Sequence, residues 1–223
     1  GDLLNYGTIN VFSGTPSIAF NGNTFTNNGS VTGGVYVNFG TFFGPNLAQN
    51  LAGTGTWTGN PRLLVDAFST TTLQSDVTYN GGNLFVAGRV NTGPFTLSLP
   101  CSVLWGGAGE VVGNLRRTNL ATCPGVPIAF GNPYTTIQFT SGTAPSEINV
   151  QVLSGAPAGF PTAALRTYLI TPTGGSGYTA TLRLHYLDSE LNGNNESTLQ
   201  LWRNDGSSWT PQGVTNRDTV QNW

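Results

Sequence analysis

The 223-residue chain has a formal net charge of −2 and only 8% charged residues, against roughly 25% in ordinary soluble proteins. So weak and slightly acidic a charge offers no basic field to gather phosphates, which argues against a nucleic-acid partner. All eight basic residues are arginine, methionine is absent, and no apolar run is long enough to span a bilayer as a helix. The opening "GDLLNYG", without Met, reads as a mature chain after removal of an export signal, so the expected location is extracellular or cell-surface.

In chain order, the first feature is "LLNYGTINVF", an apolar, β-prone segment built on Leu3, Leu4, Tyr6, Ile9, Val11 and Phe12. Four short units, "NYGTINV", "NNGSVTG", "GTGTWTG" and "VAGRVNTG", then share a loose pattern of small residue, any residue, glycine, any residue, apolar residue or Thr. A short helical turn is expected near "GPNLAQNLAG". Alternation is clearest in "TLQSDVTYNGGNLFVAGRVNTGPFTLSLP", where Leu73, Val77, Leu84, Val86, Val90, Phe95 and Leu97 stand among polar or small residues. A coil of stacked short strands needs one inward apolar residue per strand and Gly or Asn at corners where φ turns positive. An antiparallel sandwich would use the same strands and turns, so both remain open for this half. Cys101 and Cys123, the only cysteines, are expected to form one disulfide in a secreted chain.

The texture changes across residues 119–133. Longer strands follow in "YTTIQFTSG", "SEINVQVLSG", "ALRTYLITPTGG" and "GYTATLRLHYLD". In the last, Leu182, Leu184 and Tyr186 are expected on one face, with Arg183 and His185 outward. Leu199 and Leu201 face in while Gln200 and Trp202 face out, and "RNDGSSW" marks an Asp-Gly turn between two strands. The expected fold is all-β: a Gly/Asn/Thr-rich β-solenoid-like or irregular β region over residues 1–125, then an antiparallel β-sandwich over residues 126–223.

"DSELNGNNE" puts Asp188, Glu190, Asn192, Asn194 and Glu196 at alternate positions, with Gly193 sixth. An EF-hand loop would carry a bidentate Glu at its twelfth position, which is Leu199 here, and its flanks would be helices. The stretch reads as a hairpin tip whose side chains bond their own backbone, with a calcium site on a β-loop as the alternative and the only cofactor expected. His185 is the sole histidine and has no nucleophile motif beside it; Asp66, Asp76 and Glu110 are the only acids between residues 3 and 146. Few titratable groups leave little for general acid–base chemistry, so no enzyme is expected. Trp57, Trp105, Trp202, Trp209 and Trp223 read mostly as packing residues, with sugar-stacking platforms as the alternative.

"GAGEVVGNLRRT", "AFGNPYTTIQF", "RTYLITPTGGSGYTATLRLHYLDSELNGNNE" and "LQLWRNDGSSW" resemble a module near the C-termini of large secreted bacterial surface proteins. There it follows Gly/Asn/Thr-rich, solenoid-like repeats of the autotransporter-adhesin kind. The resemblance covers most of residues 70–223; residues 1–69 share only composition. It implies an exported surface or matrix protein and carries over no catalytic residue. In such relatives the chain continues past the equivalent of "DTVQNW" into further strands. A sandwich that stops at Trp223 is expected to leave an unpaired edge and an open groove, which a strand from another copy could fill. A head-to-tail contact of that kind does not close, so a filament is expected. The expected function is a structural subunit that forms a homo-polymer, with the N-terminal segment as donor strand. A cell-surface adhesin or carbohydrate-binding module, with a surface glycan as partner, is the alternative.

Overall fold

A four-residue strand with one apolar face cannot bury that face alone, but a stack of such strands can. The computed structural model, which describes residues 1–11, 17–34, 36–39 and 47–223, builds its first half on this principle. Successive coils contribute three short strands each: β1 (Leu3–Asn5), β2 (Thr8–Val11) and β3 (Ser17–Phe20); β4 (Thr24–Asn27), β5 (Ser30–Gly33) and β6 (Tyr36–Phe39); β7 (Leu47–Ala52), β8 (Thr56–Gly59) and β9 (Arg62–Val65); β10 (Ser69–Leu73), β11 (Val77–Thr78) and β12 (Asn83–Val86). The fifth coil merges two faces in the long β13 (Arg89–Pro100) and adds β14 (Leu104–Gly106), and β15 (Glu110–Thr118) lies on β13. The strands stack in parallel as three ladders, β1-β4-β7-β10-β13-β15, β2-β5-β8 and β3-β6-β9-β12-β14. The first half is therefore a β-solenoid of about five turns.

Register explains why the repeat is hard to see. Leu3 pairs with Phe25, Phe25 with Leu51, Leu51 with Leu73, Thr71 with Val90, and Val90 with Val111, so the step is 22, 26, 22, 19 and then 21 residues. What is kept from coil to coil is the inward side chain, not the period. Phe20, Phe25 and Phe39 meet edge-on with centroids 5.6 to 5.9 Å apart, and Trp57 and Tyr79 extend the same buried column. The helical turn expected near "GPNLAQNLAG" is corrected here. Residues 47–52 form β7, because Leu51 completes the Phe25 and Leu73 ladder and that burial overrides local propensity; residues 44–46 lie outside the described residues.

Three of the four glycine units stack on one corner. Thr8, Ser30 and Thr56 are register partners, so "NYGTINV", "NNGSVTG" and "GTGTWTG" are successive layers of one turn. A Cβ on Gly29 would stand 2.0 Å from the Gly7 carbonyl oxygen, and one on Gly55 would stand 2.4 Å from that of Gly29. Buried beside them, Asn5 Nδ2 donates to Asn27 Oδ1 (2.8 Å), and Asn27 Nδ2 donates to the Thr56 carbonyl (3.2 Å). The fourth unit, "VAGRVNTG", belongs to another corner, since Arg89 pairs with Thr70 and Glu110.

The second half consists of β16 (Ile128–Ala129), β17 (Thr136–Thr143), β18 (Glu147–Ser154), β19 (Arg166–Thr173), β20 (Ser176–Arg183), β21 (Trp202–Asn204) and β22 (Trp209–Pro211). β18 pairs antiparallel with β15 and β19 with β18, so the first solenoid ladder continues into this half; β16-β17-β20 form the facing antiparallel layer. Ile137, Phe139, Ile148 and Val150 belong to the same buried cluster as the solenoid core. At the junction Arg117 is buried and donates to the carbonyls of Ala129 (2.9 Å), Pro100 and Val103 (both 3.0 Å). Cys101 and Cys123 form the expected disulfide, with Cα atoms 6.2 Å apart, joining the end of β13 to the short 3-10 turn Leu120–Thr122 that follows β15. Turn chemistry at "RNDGSSW" is also as expected: Asp205 Oδ1 accepts from the backbone N–H of Ser207 and Ser208 (both 2.9 Å), and Gly206 adopts φ 102° between β21 and β22.

Candidate functional site

In the second half the chain changes layer between β17 and β18 and again between β19 and β20, and this leaves two edges open. β19 pairs only with β18 and β20 only with β17 among the described residues. Both line a groove of about 890 Å³ whose walls include Tyr168, Ile170, Leu182 and Leu184. Its far side is aromatic: the Phe160 ring meets Trp202 edge-on at 5.1 Å and Trp209 at 5.8 Å, and Trp209 Nε1 donates to the Ala158 carbonyl (3.3 Å). Leu169 on β19 is 53% exposed and Leu182 also faces solvent. At the other end of the same ladder, β1 has β4 on one side and no strand on the other among the described residues.

Beside the groove lies a buried polar knot. Arg166 and Tyr168 sit two apart on β19 and so share a face. The Arg166 guanidinium donates from Nε to Glu190 Oε2 (2.6 Å), and from Nη2 to Glu190 Oε1 (3.0 Å) and Glu110 Oε2 (2.8 Å). This one side chain thus ties the start of β15 to β19 and to the loop after β20. Burial is the largest single influence on Arg166 and works against its charge, but the Glu190 hydrogen bonds together with Tyr168 and Glu110 outweigh it and hold the group above its ordinary value. Tyr168 donates to the His185 carbonyl and exchanges a hydrogen bond with Thr135 Oγ1 (3.2 Å); its phenol is pushed up by burial.

His185 corrects an expectation. It is 8% exposed, not outward, with the Tyr134 ring 5.9 Å away. The ladder between β20 and β17 stops at Arg183, so the alternation read through residues 182–186 is not enforced at its end, and Leu182 is the residue left open. Among the described residues neither ring nitrogen of His185 has a hydrogen-bond partner, and Nδ1 is sealed from solvent. Burial, and next the Arg166 charge, lower its affinity for a proton, so the imidazole is neutral at pH 7.

The oxygen-rich loop is spent on the protein itself. Glu190 holds Arg166 and accepts from the Leu187 N–H (2.9 Å). Glu196 accepts from the Tyr186 hydroxyl (2.9 Å), and Asp188 from Asn222 Nδ2 (2.7 Å). Asn192 donates to the carbonyls of Pro161 and Ala163, and Asn194 to those of Thr162 and Leu191. Asn192 and Asn194 thus brace residues 161–163 and Asp188 braces the C-terminal segment, and the contacts that each of the five side chains makes lead to different partners. Among the described residues no group of three or more His, Cys, Asp and Glu side chains is placed to hold a metal ion, and no helix is long and apolar enough to cross a membrane.

The N-terminal segment is the first coil. Leu3 and Leu4 lie in β1 and Ile9 and Val11 in β2, paired with β4 and β5; Tyr6 sits at the corner between them and Phe12 lies outside the described residues. Of the tryptophans, Trp57 is core, Trp105 pairs with Leu84 in the third ladder, Trp223 lies 3.9 Å beneath the Arg183 guanidinium, and Trp202 and Trp209 line the groove. The knot around Arg166 escaped sequence reasoning because its acids stand 56 and 24 residues away. The one local signal was the Arg166 and Tyr168 alternation. Compared with protein-family models, curated proteins and solved structures, the chain matches none.

Proposed function

We propose that the chain is an exported structural subunit whose copies join edge to edge into an extracellular fibre. The observation that carries this reading is that one sheet begins at β1 and ends at β19, each with a strand on one side only among the described residues. β1 to β15 run parallel, β18 reverses and β19 reverses again, so β19 runs in the direction of β1. A second copy that lays β1 along β19 continues the sheet without turning over. Such a contact uses different surfaces on the two copies and propagates rather than closing. Main-chain hydrogen bonds of an added strand supply the affinity, and the exposed Leu4 (56%), Tyr6 (73%) and Leu169 supply apolar surface. The N-terminal segment would contribute as an edge still folded in its coil, in place of a free donor arm. The resemblance to exported bacterial surface proteins, the disulfide and the scarcity of catalytic groups support an extracellular, non-enzymatic role.

Electron microscopy and sedimentation of the 223-residue chain test this. Filaments are expected for the wild type, and dispersed monomers for Leu4→Lys and for Leu169→Lys, since a charge at an edge opposes strand addition. Wild-type monomers at every concentration would overturn the reading. A cell-surface adhesin or carbohydrate-binding module is the second reading, favoured by the exposed indole of Trp202 in its aromatic groove.

A further inference from the structure

A second depression, of about 400 Å³, opens on the solenoid flank where the coils turn from the third ladder into the first, far along the chain from the aromatic groove. The corner there is stacked from residues with little or no side chain. A Cβ on Gly88 would lie 2.2 Å from the Asp66 carbonyl oxygen, and one on Gly109 would lie 2.0 Å from that of Gly88. The backbone therefore packs layer on layer and leaves a concave step. Phe68, 62% exposed, stands on its rim. Asn132 is fixed in its wall, donating to the Gly109 carbonyl (3.3 Å) and accepting from the Tyr134 N–H (2.8 Å).

Three further side chains give the step its chemistry. Arg89 and Glu110 are register partners on β13 and β15, so they arrive side by side. Glu110 is anchored through Oε2 by Arg166, which leaves Oε1 as a fixed acceptor; Arg89 is anchored through Nε to Asn91 Oδ1 (3.0 Å), which leaves its Nη groups as donors. His185 also lines the depression. It is more than nine-tenths buried and makes no ring hydrogen bond among the described residues, and with Nδ1 sealed, the nitrogen it can offer is Nε2. A polar ring kept unsatisfied in this way is costly without a ligand.

An acceptor and a donor of opposite charge, a neutral imidazole and an aromatic face suit neither an anion nor a cation, because the two charges cancel. They suit vicinal hydroxyls, each of which both donates and accepts, on a ring with an apolar face. We propose that this depression binds a pyranose unit of a neutral polysaccharide: Glu110 and Arg89 bridge a vicinal diol, His185 accepts a third hydroxyl proton through Nε2, and Phe68 covers the ring. The site deepens the adhesin reading and is independent of edge-to-edge assembly.

Isothermal titration of the full chain with maltohexaose, cellohexaose and laminarihexaose tests it. At least one is expected to bind. Phe68→Ala and Arg89→Ala, both at exposed positions, are each expected to weaken that binding by roughly tenfold or more with the urea midpoint unchanged; Glu110→Gln gives a third, internal position. Binding that survives Phe68→Ala and Arg89→Ala but is lost in Trp202→Ala would move the sugar to the aromatic groove, which overturns this site and keeps the adhesin reading. No binding of any of the three would overturn both.

Discussion

Among the described residues Arg117 has no carboxylate partner and donates to the carbonyls of Pro100, Val103 and Ala129. Desolvation by burial pulls the guanidinium down to about 10, still far enough above neutrality to stay charged. A charge held by carbonyls alone makes sense at the end of a solenoid, where strand ends leave acceptors that the ladder no longer uses. Arg117→Ala strands those three oxygens and opens a void, and is expected to cost about 3 kcal/mol in urea denaturation. Arg117→Lys should recover only part of that, since one ammonium cannot reproduce the planar fork. His185 gives the pH counterpart. Its folded-state proton affinity is lowered by burial and then by Arg166, while Glu110 and Glu190 act in the opposite direction and Tyr134 supplies only its ring. The unfolded chain therefore binds the proton first, near 6.5, and stability is present above that pH and lost as pH falls below it. A His185→Gln variant, compared with wild type in urea titrations from pH 7.5 to pH 5, is expected to show a shallower loss.

At the scale of the element, one tight constraint is the corner where Gly7, Gly29 and Gly55 stack. Gly29→Ala places a methyl against the Gly7 carbonyl, which belongs to backbone and cannot swing away. A cost of about 2–3 kcal/mol is expected, with limited proteolysis cutting first in residues 1–29. The same corner marks how far the sequence could be read. "NNGSVTG" and "GTGTWTG" were legible as layers because close backbone approach leaves no room for a side chain at Gly29 and Gly55, while Gly7 of "NYGTINV" heads the stack with open space at its Cβ position. "VAGRVNTG" looked alike but lies on a different corner, where glycine answers a different contact, with Asp66 and Ser69. The strands from β17 to β20 were legible because each is eight residues long and bounded by turn residues. What stayed hidden was long-range. Nothing local in "GAGEVVG" announces that Glu110 will meet Arg166, and nothing in "LRLHY" says that the ladder ends at Arg183 and lets His185 turn inward.

For the whole molecule the decisive relation is between the solenoid and the sandwich. Composition changes near residue 125, and across that point the first ladder passes from β15 directly to β18, with the buried cluster continuing beside it. β18 cannot keep both of its neighbours without β15, and Arg166 cannot keep both of its carboxylates without Glu110. Solenoid stability is close to a sum of nearest-neighbour interfaces, so the loss of a terminal coil and the loss of this junction should differ in kind. A fragment of residues 126–223 is expected to give no cooperative urea transition and to bind hydrophobic dyes. A chain lacking residues 1–21 exposes Phe25 and Phe39 to solvent but keeps every later interface. It is expected to unfold cooperatively at a lower urea midpoint. Reduction of the Cys101 and Cys123 bridge separates the two effects: it frees the chain at the junction, should cost about 3 kcal/mol on the loop-entropy account, and should leave one transition. Two resolved transitions in the intact, oxidised chain would mean that the sandwich stands by itself and that the shared strand edge between β15 and β18 contributes little.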